Sequence, residues 1–125
     1  MRLLLDTHLA IWLVRDAPEL SAHARRLISE AEGVFVSSAS IWEATVKVAL
    51  GKLPLQPARL ESQLLAAGIQ PLPVSWAHAC ALHGLPMHHR DPFDRMLVAQ
   101  AMCEPLHLLT HDAALLAYSD LVILV

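Results

Sequence analysis

Short apolar runs, each too brief for a helix, alternate along this chain with stretches of helical period, and few architectures accommodate that alternation. Leu3–Leu5, VFVSS at 34–38, Ile69–Val74, His107–Leu109 and Leu121–Val125 read as strands. Between them, Leu9, Trp12 and Leu13 share a helical face, and Ser21 opens a helix to about Ala31 that Gly33 stops. Further helices are expected over 40–52, 58–67, Ser75 to His83, 92–103 and His111 to Tyr118, with a loop at 84–92. Strands alternating with helices imply a parallel sheet covered on both faces. Pro71 and Pro73 put the third strand at a sheet edge, where a missing N–H is tolerated. The expected class is α/β, and 125 residues suit one domain spanning 1–125.

Composition narrows the function classes. With 55% hydrophobic residues the chain is not disordered. A formal charge of -3 offers no global positive field, so any nucleic-acid contact must be local, metal-assisted or helped by a partner. Cys80 and Cys103 lack C-x-x-C spacing and read as buried free thiols of a reducing compartment. The opening MRLLLDTHLAIWLV has the look of a signal peptide, but Asp6 and His8 interrupt its apolar run and no small-residue cleavage site follows. No stretch approaches the length of a membrane span. A cytoplasmic protein with no membrane role is expected.

Four of the 12 acidic residues fall at one kind of place. Asp6 directly follows the first strand, Glu43 lies one turn into the helix after the second, and Asp112 lies just beyond the fourth. In an open parallel sheet those positions share the edge where ligands bind. Asp94, in the first turn of the helix before the fourth strand, joins them only if that helix starts at the same edge. Each acid also has a plain role. Asp6 can cap the first helix, Ser40 and Glu43 fit a capping box, Asp91 can cap the DPFD helix with Asp94 at its third position, and Thr110 can cap the last helix. Capping, however, demands no convergence. Like charges about 4 Å apart repel by on the order of 4 kcal/mol at an effective dielectric near 20. A crevice that gathers them is normally neutralised by a hard cation, Mg²⁺ or Mn²⁺. Zinc is disfavoured, because no His or Cys has ligand spacing relative to these acids. Water-carrying Mg²⁺ held by carboxylates suits hydrolysis of phosphate esters.

LLLDTHLAIWL (3–13), VSSASIWEATVKVALGKLPL (36–55), HHRDPFDRMLVAQA (88–101) and LLTHD (108–112) together resemble the PIN-domain ribonucleases, most closely the VapC-like toxins of toxin–antitoxin pairs. The resemblance runs through nearly the whole chain, and HRDPFDR is its most specific block. It implies a three-layer α/β/α fold with a five-stranded parallel sheet, metal-dependent cleavage of RNA, and inhibition by a cognate antitoxin protein. The family's acids carry over to Asp6, Glu43, Asp94 and Asp112, with Asp6 and Asp94 as the firmest metal ligands. Thr110 would hydrogen-bond within the acidic cluster, and Asp91 is better taken as a cap. RNA contact would rest on Arg90, Arg95, Lys47 and Lys52. A homodimer could form on apolar surface around Leu9, Leu13 and Leu27, and an antitoxin arginine could pair with the pocket carboxylates.

Eight histidines is a high count, yet each is expected to be polar surface or partly buried, with His8 best placed to orient Asp6. Trp12 and Trp42 are expected in the core. A haloacid-dehalogenase phosphatase needs a second Asp where His8 stands. A phospho-acceptor receiver domain needs a lysine near its last strand, and the only lysines are Lys47 and Lys52. The remaining rival is a non-catalytic PIN-like binding module.

Overall fold

The computed structural model describes Met1–Val125. Strand β1 (Arg2–Leu5) leads into helices α1 (Thr7–Arg15) and α2 (Ala22–Glu30), then β2 (Gly33–Ser37), α3 (Ser38–Ala49) and α4 (Pro57–Ala66). Strand β3 (Gln70–Leu72) is followed by α5 (Trp76–Ala81), a 3₁₀ turn at Leu82–Gly84, and α6 (Pro92–Cys103). Strand β4 (His107–Thr110), a 3₁₀ segment at Ala113–Ala117 and β5 (Val122–Leu124) complete the chain. The five strands are all parallel, in the order β3-β2-β1-β4-β5.

Alternation within β1 builds the two cores. Successive strand residues point to opposite faces. Leu3 and Leu5 pack with Leu9, Ala10, Leu60 and Leu64 from α1 and α4, whereas Leu4 packs with Leu97, Val98 and Ala101 of α6. All three leucines are fully buried. The chain steps outward from β1 to β2 to β3, then returns across the sheet to β4 on the other side of β1. Its direction therefore reverses between β1 and β4. At such a reversal the connections diverge to opposite faces and leave a crevice beyond the strand ends.

The elements differ from the sequence expectation in places with clear causes. Helix α3 begins at Ser38, capped by Ser37 through its Oγ to the Ala39 N–H, so Ser40 is inside the helix and no Ser40–Glu43 capping box exists. Strand β3 is only three residues at the sheet edge, with Pro71 opposite Val36. The last helix is a 3₁₀ segment capped by Asp112 rather than Thr110. Cys80 and Cys103 are exposed, because each falls on the solvent side of its helix. Trp42 is 64% exposed and meets Phe93 edge to face with ring centroids 4.9 Å apart, so it is not a core residue, whereas Trp12 is half-buried against the first cluster. No helix is long and apolar enough to cross a membrane.

Leu4→Ala opens a cavity between the central strand and α6 and should cost about 2–5 kcal/mol. Leu65→Ala, at a position 52% exposed, should cost at most about 0.5 kcal/mol. Urea unfolding of the two variants reads the contrast.

Candidate functional site

Asp6 is the first residue beyond β1 and closes two structures at once. Its extended backbone makes it the N-cap of α1, with Oδ1 accepting from the Leu9 N–H at 2.8 Å. Its Oδ2 accepts the Thr110 hydroxyl at 2.7 Å, joining the end of β1 to the end of β4. Thr110 Oγ1 in turn accepts the Asp112 N–H at 3.0 Å. One buried hydroxyl thus sets the spacing between two carboxylate-bearing positions across the chain reversal. Both Asp6 and Thr110 are buried.

Asp94 arrives from the opposite layer. Helix α6 starts at the strand C-terminal edge, where Asp91 caps it through Oδ1 to the Phe93 and Asp94 N–H groups at 2.8 and 3.2 Å. This leaves the Asp94 carboxyl facing the crevice. Asp6, His8, Asp94, His111, Asp112 and Ala113 line a cavity of about 270 Å³ there. Glu43 lies buried behind it. Thr7 donates to Glu43 Oε1 at 2.6 Å and sits 2.9 Å from Ser40 Oγ, while Lys47 pairs with Oε2 at 2.7 Å. The four acids do converge.

Electrostatics records the crowding. The Asp94 carboxyl is pushed up to about 7, chiefly by burial and then by the charges of Asp91, Glu43 and Asp6, with His89 pulling the other way. Asp112 moves below the ordinary range. Partial burial opposes that shift, but the Ala114 N–H, the His89 hydrogen bond and the charges of His89 and His111 outweigh it.

Two of the four basic residues expected at RNA have partners within the chain. Lys47 is the counter-ion of Glu43. Arg95 donates to Pro86 O at 2.8 Å and to the Tyr118 hydroxyl at 3.1 Å, clamping the loop before α6. Arg90 and Lys52 remain exposed on the surface.

Sequence reasoning missed the histidines. His111, not His8, is the imidazole beside Asp6, with Nδ1 3.4 Å from Oδ2. His89 reaches Asp112 Oδ2 at 2.9 Å and lies 3.7 Å from Asp94 Oδ2. Its ring is oriented from behind, because the Asp91 N–H donates to Nδ1 at 2.9 Å. In the neutral ring Nε2 must then carry the proton and donate to Asp112. Loop residues brought to the site by folding have no sequence spacing to betray them. Only the proximity of His89 to Asp91, and of His111 to Asp112, hints at these contacts.

A family model described as PIN domain matches residues 3–121. No curated protein matches the sequence. Among solved structures, the fold is similar to VapBC2 of Rickettsia felis bound to a DNA fragment from their promoter, with a TM-score of 0.72 and 16% identity over 100% of this chain and 98% of that one. It is similar to DNA-bound VapBC of Salmonella typhimurium, at TM-score 0.69 and 16% identity, covering 100% and 97%. The third is VapC20 of Mycobacterium tuberculosis, a sarcin-ricin loop cleaving toxin, at TM-score 0.64 and 13% identity, covering 94% and 97%. Likeness at these identities concerns the fold.

The raised Asp94 carboxyl stabilises the fold in its protonated form. That contribution is complete below the ordinary value of 3.8 and is lost as pH rises through about 7. In chelator-treated protein, Asp94→Asn should therefore melt several degrees above the parent at pH 8, and the advantage should shrink as pH falls and disappear near pH 4. Calorimetry across that range checks both the sign and the window.

Proposed function

The chain belongs to the PIN-domain family, and from that premise we propose that it is a metal-dependent endoribonuclease, acting over residues 1–125 as the toxin of a toxin–antitoxin pair. The observation that supports this most is the convergence of Asp6, Asp94 and Asp112 on one cavity at the chain reversal, with Glu43 directly behind. Protein groups leave Asp94 poorly neutralised, and its carboxyl rises accordingly. An all-oxygen donor set short of positive charge fits Mg²⁺ or Mn²⁺. Asp6 and Asp94 would hold the ion, with Glu43 and Asp112 completing the pocket.

Such an ion supplies an activated water and neutralises charge growing on a phosphate oxygen. The protein's own part is positioning. Thr110 and the Leu9 N–H fix both oxygens of Asp6, so its carboxylate needs no reorganisation when substrate arrives. Thr7 and Lys47 give each oxygen of the buried Glu43 carboxyl a partner. Asp91 keeps the first turn of α6 regular beneath Asp94.

The substrate in this reading is RNA, and a bound ion would offset the charge of its backbone phosphates where the chain offers no broad basic surface. The inhibitor is an antitoxin segment offering an arginine, which pairs bidentately with carboxylates. A toxin–antitoxin complex from Klebsiella pneumoniae is similar in fold, at TM-score 0.64 and 18% identity over 96% of this chain and 94% of that one, which supports a partner of this kind. A homodimer belongs to the same reading, but Leu9 takes no part in its surface. Leu9 is 1% exposed in the core, and the other two pack partly buried against it. Light scattering of the isolated chain reads the oligomeric state.

Asp6→Asn and Asp94→Asn should each lower cleavage of a mixed RNA pool by at least about 10–100-fold, and chelation of divalent ions should do the same to the parent. Gel analysis of the pool reads all three. Undiminished cleavage by both variants would overturn the nuclease assignment.

A further inference from the structure

Beside the carboxylates, the chain reversal assembles a donor set of different chemistry. Asp6 ends β1, His8 follows two residues later in the first turn of α1, and His111 follows Thr110 at the end of β4. Each offers one ligand atom, and the three atoms lie within 4.8 Å of one another. All three residues line the cavity. His111 Nδ1 lies 3.4 Å from Asp6 Oδ2, and the rings of His8 and His111 meet edge to face with centroids 5.0 Å apart.

We propose that Asp6, His8 and His111 form a seat for a first-row transition-metal ion, bordering the hard-cation pocket and sharing its Asp6 carboxylate. The inference rests on the cation-binding reading of this cavity and adds the kind of ion its histidine side takes. Two imidazoles and one carboxylate suit divalent ions from Fe²⁺ to Zn²⁺, leave coordination positions open, and are poor ligands for Mg²⁺, which prefers oxygen and water. An ion with bonds of about 2.0–2.1 Å holds neighbouring donors roughly 3–3.5 Å apart. His111 and Asp6 already have that spacing. His8 is exposed, with its ring beside those of His111 and Trp12, so a change of rotamer on the surface is enough to bring its nitrogen in.

The contrast with His89 sharpens the assignment. Nδ1 of His89 is occupied by the Asp91 N–H, which puts the proton on Nε2 and turns it toward Asp112 as a donor. That nitrogen has no lone pair to give a metal. His89 is thus a positioning residue for Asp112. No backbone N–H occupies the ring of His8 or His111 in this way, and His111 meets Asp6 side chain to side chain. The carboxylate of this seat is also held on both oxygens, by the Leu9 N–H and the Thr110 hydroxyl.

Co²⁺ is the probe, because its visible absorption reports nitrogen ligation and it quenches a nearby indole. Trp12 lies 5.0 Å from the His111 ring, centroid to centroid. Chelator-treated full-length protein is titrated separately with Co²⁺ and with Mg²⁺, following absorption, tryptophan fluorescence and melting temperature. The His8→Ala/His111→Ala double variant should lose Co²⁺ affinity by on the order of tenfold or more while Mg²⁺ still raises its melting temperature. His23→Gln, an exposed histidine on α2, should bind Co²⁺ as the parent does. Both altered positions of the double variant are exposed, and circular dichroism confirms its fold. Equal Co²⁺ affinity in parent and double variant overturns the seat, as does an equal loss in His23→Gln. Histidine-dependent Co²⁺ binding by a protein that cleaves no RNA would sink the nuclease assignment and leave the seat standing. Asp94-dependent RNA cleavage with histidine-independent Co²⁺ binding would do the reverse.

Discussion

Three carboxylates that repel one another share the crevice where the chain reverses, with a fourth, Glu43, buried behind them, and much of the surrounding structure consists of groups that hold them there. One of these is the Thr110 hydroxyl, fully buried between the ends of β1 and β4 and bonded at once to Asp6 and to the Asp112 backbone. Parallel pairing of β1 with β4 brings the two strand ends side by side, since Leu5 lies opposite Leu109 and the Asp6 N–H continues the ladder to Leu109 O at 3.0 Å. The backbone ladder sets the distance, the hydroxyl sets the orientation, and neither can relax without breaking the other. Repulsion that would scatter free carboxylates is opposed here by the cohesion of the whole sheet.

The helix caps serve the same end. Asp6, Asp91 and Asp112 each satisfy N–H groups at the start of a helical segment. Reading these residues as caps or as site acids therefore poses a false choice for Asp6 and Asp112, each of which caps with one oxygen and meets a side chain of the site, Thr110 or His89, with the other. Asp94 differs. No hydrogen bond steadies its carboxyl, and burial beside three other acids falls on it with only His89 in partial relief. It is the group whose charge the fold tolerates least, and so the one an incoming cation relieves most.

The fold and the acids were legible because they obey local rules. Apolar runs such as Leu3–Leu5 can be buried on both faces only in a covered parallel sheet, and acids just past strand ends fall on one edge whatever the rest of the chain does. Asp94 needed only α6 to run antiparallel to its strands, as a crossover helix must. Side-chain burial was less legible. Trp42 sits one residue from buried Glu43 on α3, yet the face that buries Glu43 turns the indole toward Phe93 and solvent. The cationic partners were legible least. Lys47 lies one helical turn beyond Glu43, a spacing open to inspection, but whether it faces RNA or its own helix neighbour depends on how deeply Glu43 is buried. Arg95 depends on a loop, since its partners Pro86 and Tyr118 meet only once α6 and the segment after β4 have packed.

That loop completes the electrostatics of the site. Arg95 bonds the Tyr118 hydroxyl, which accepts the His89 N–H at 2.9 Å, and the Asp91 N–H turns the His89 ring toward Asp112 and Asp94. The same Asp91 carboxylate caps α6 and adds to the negative field on Asp94. Loop and helix start are thus coupled through one residue, which raises the charge density of the pocket from one side while aiming a proton donor into it from the other. Lys47 pairs with Glu43 from its own helix, whereas the His89 ring stands between Asp112 and Asp94 and donates to the first. A chain of net charge -3 therefore folds around these acids without a bulk positive surface, by placing single partners such as Lys47 and His89 against individual carboxylates.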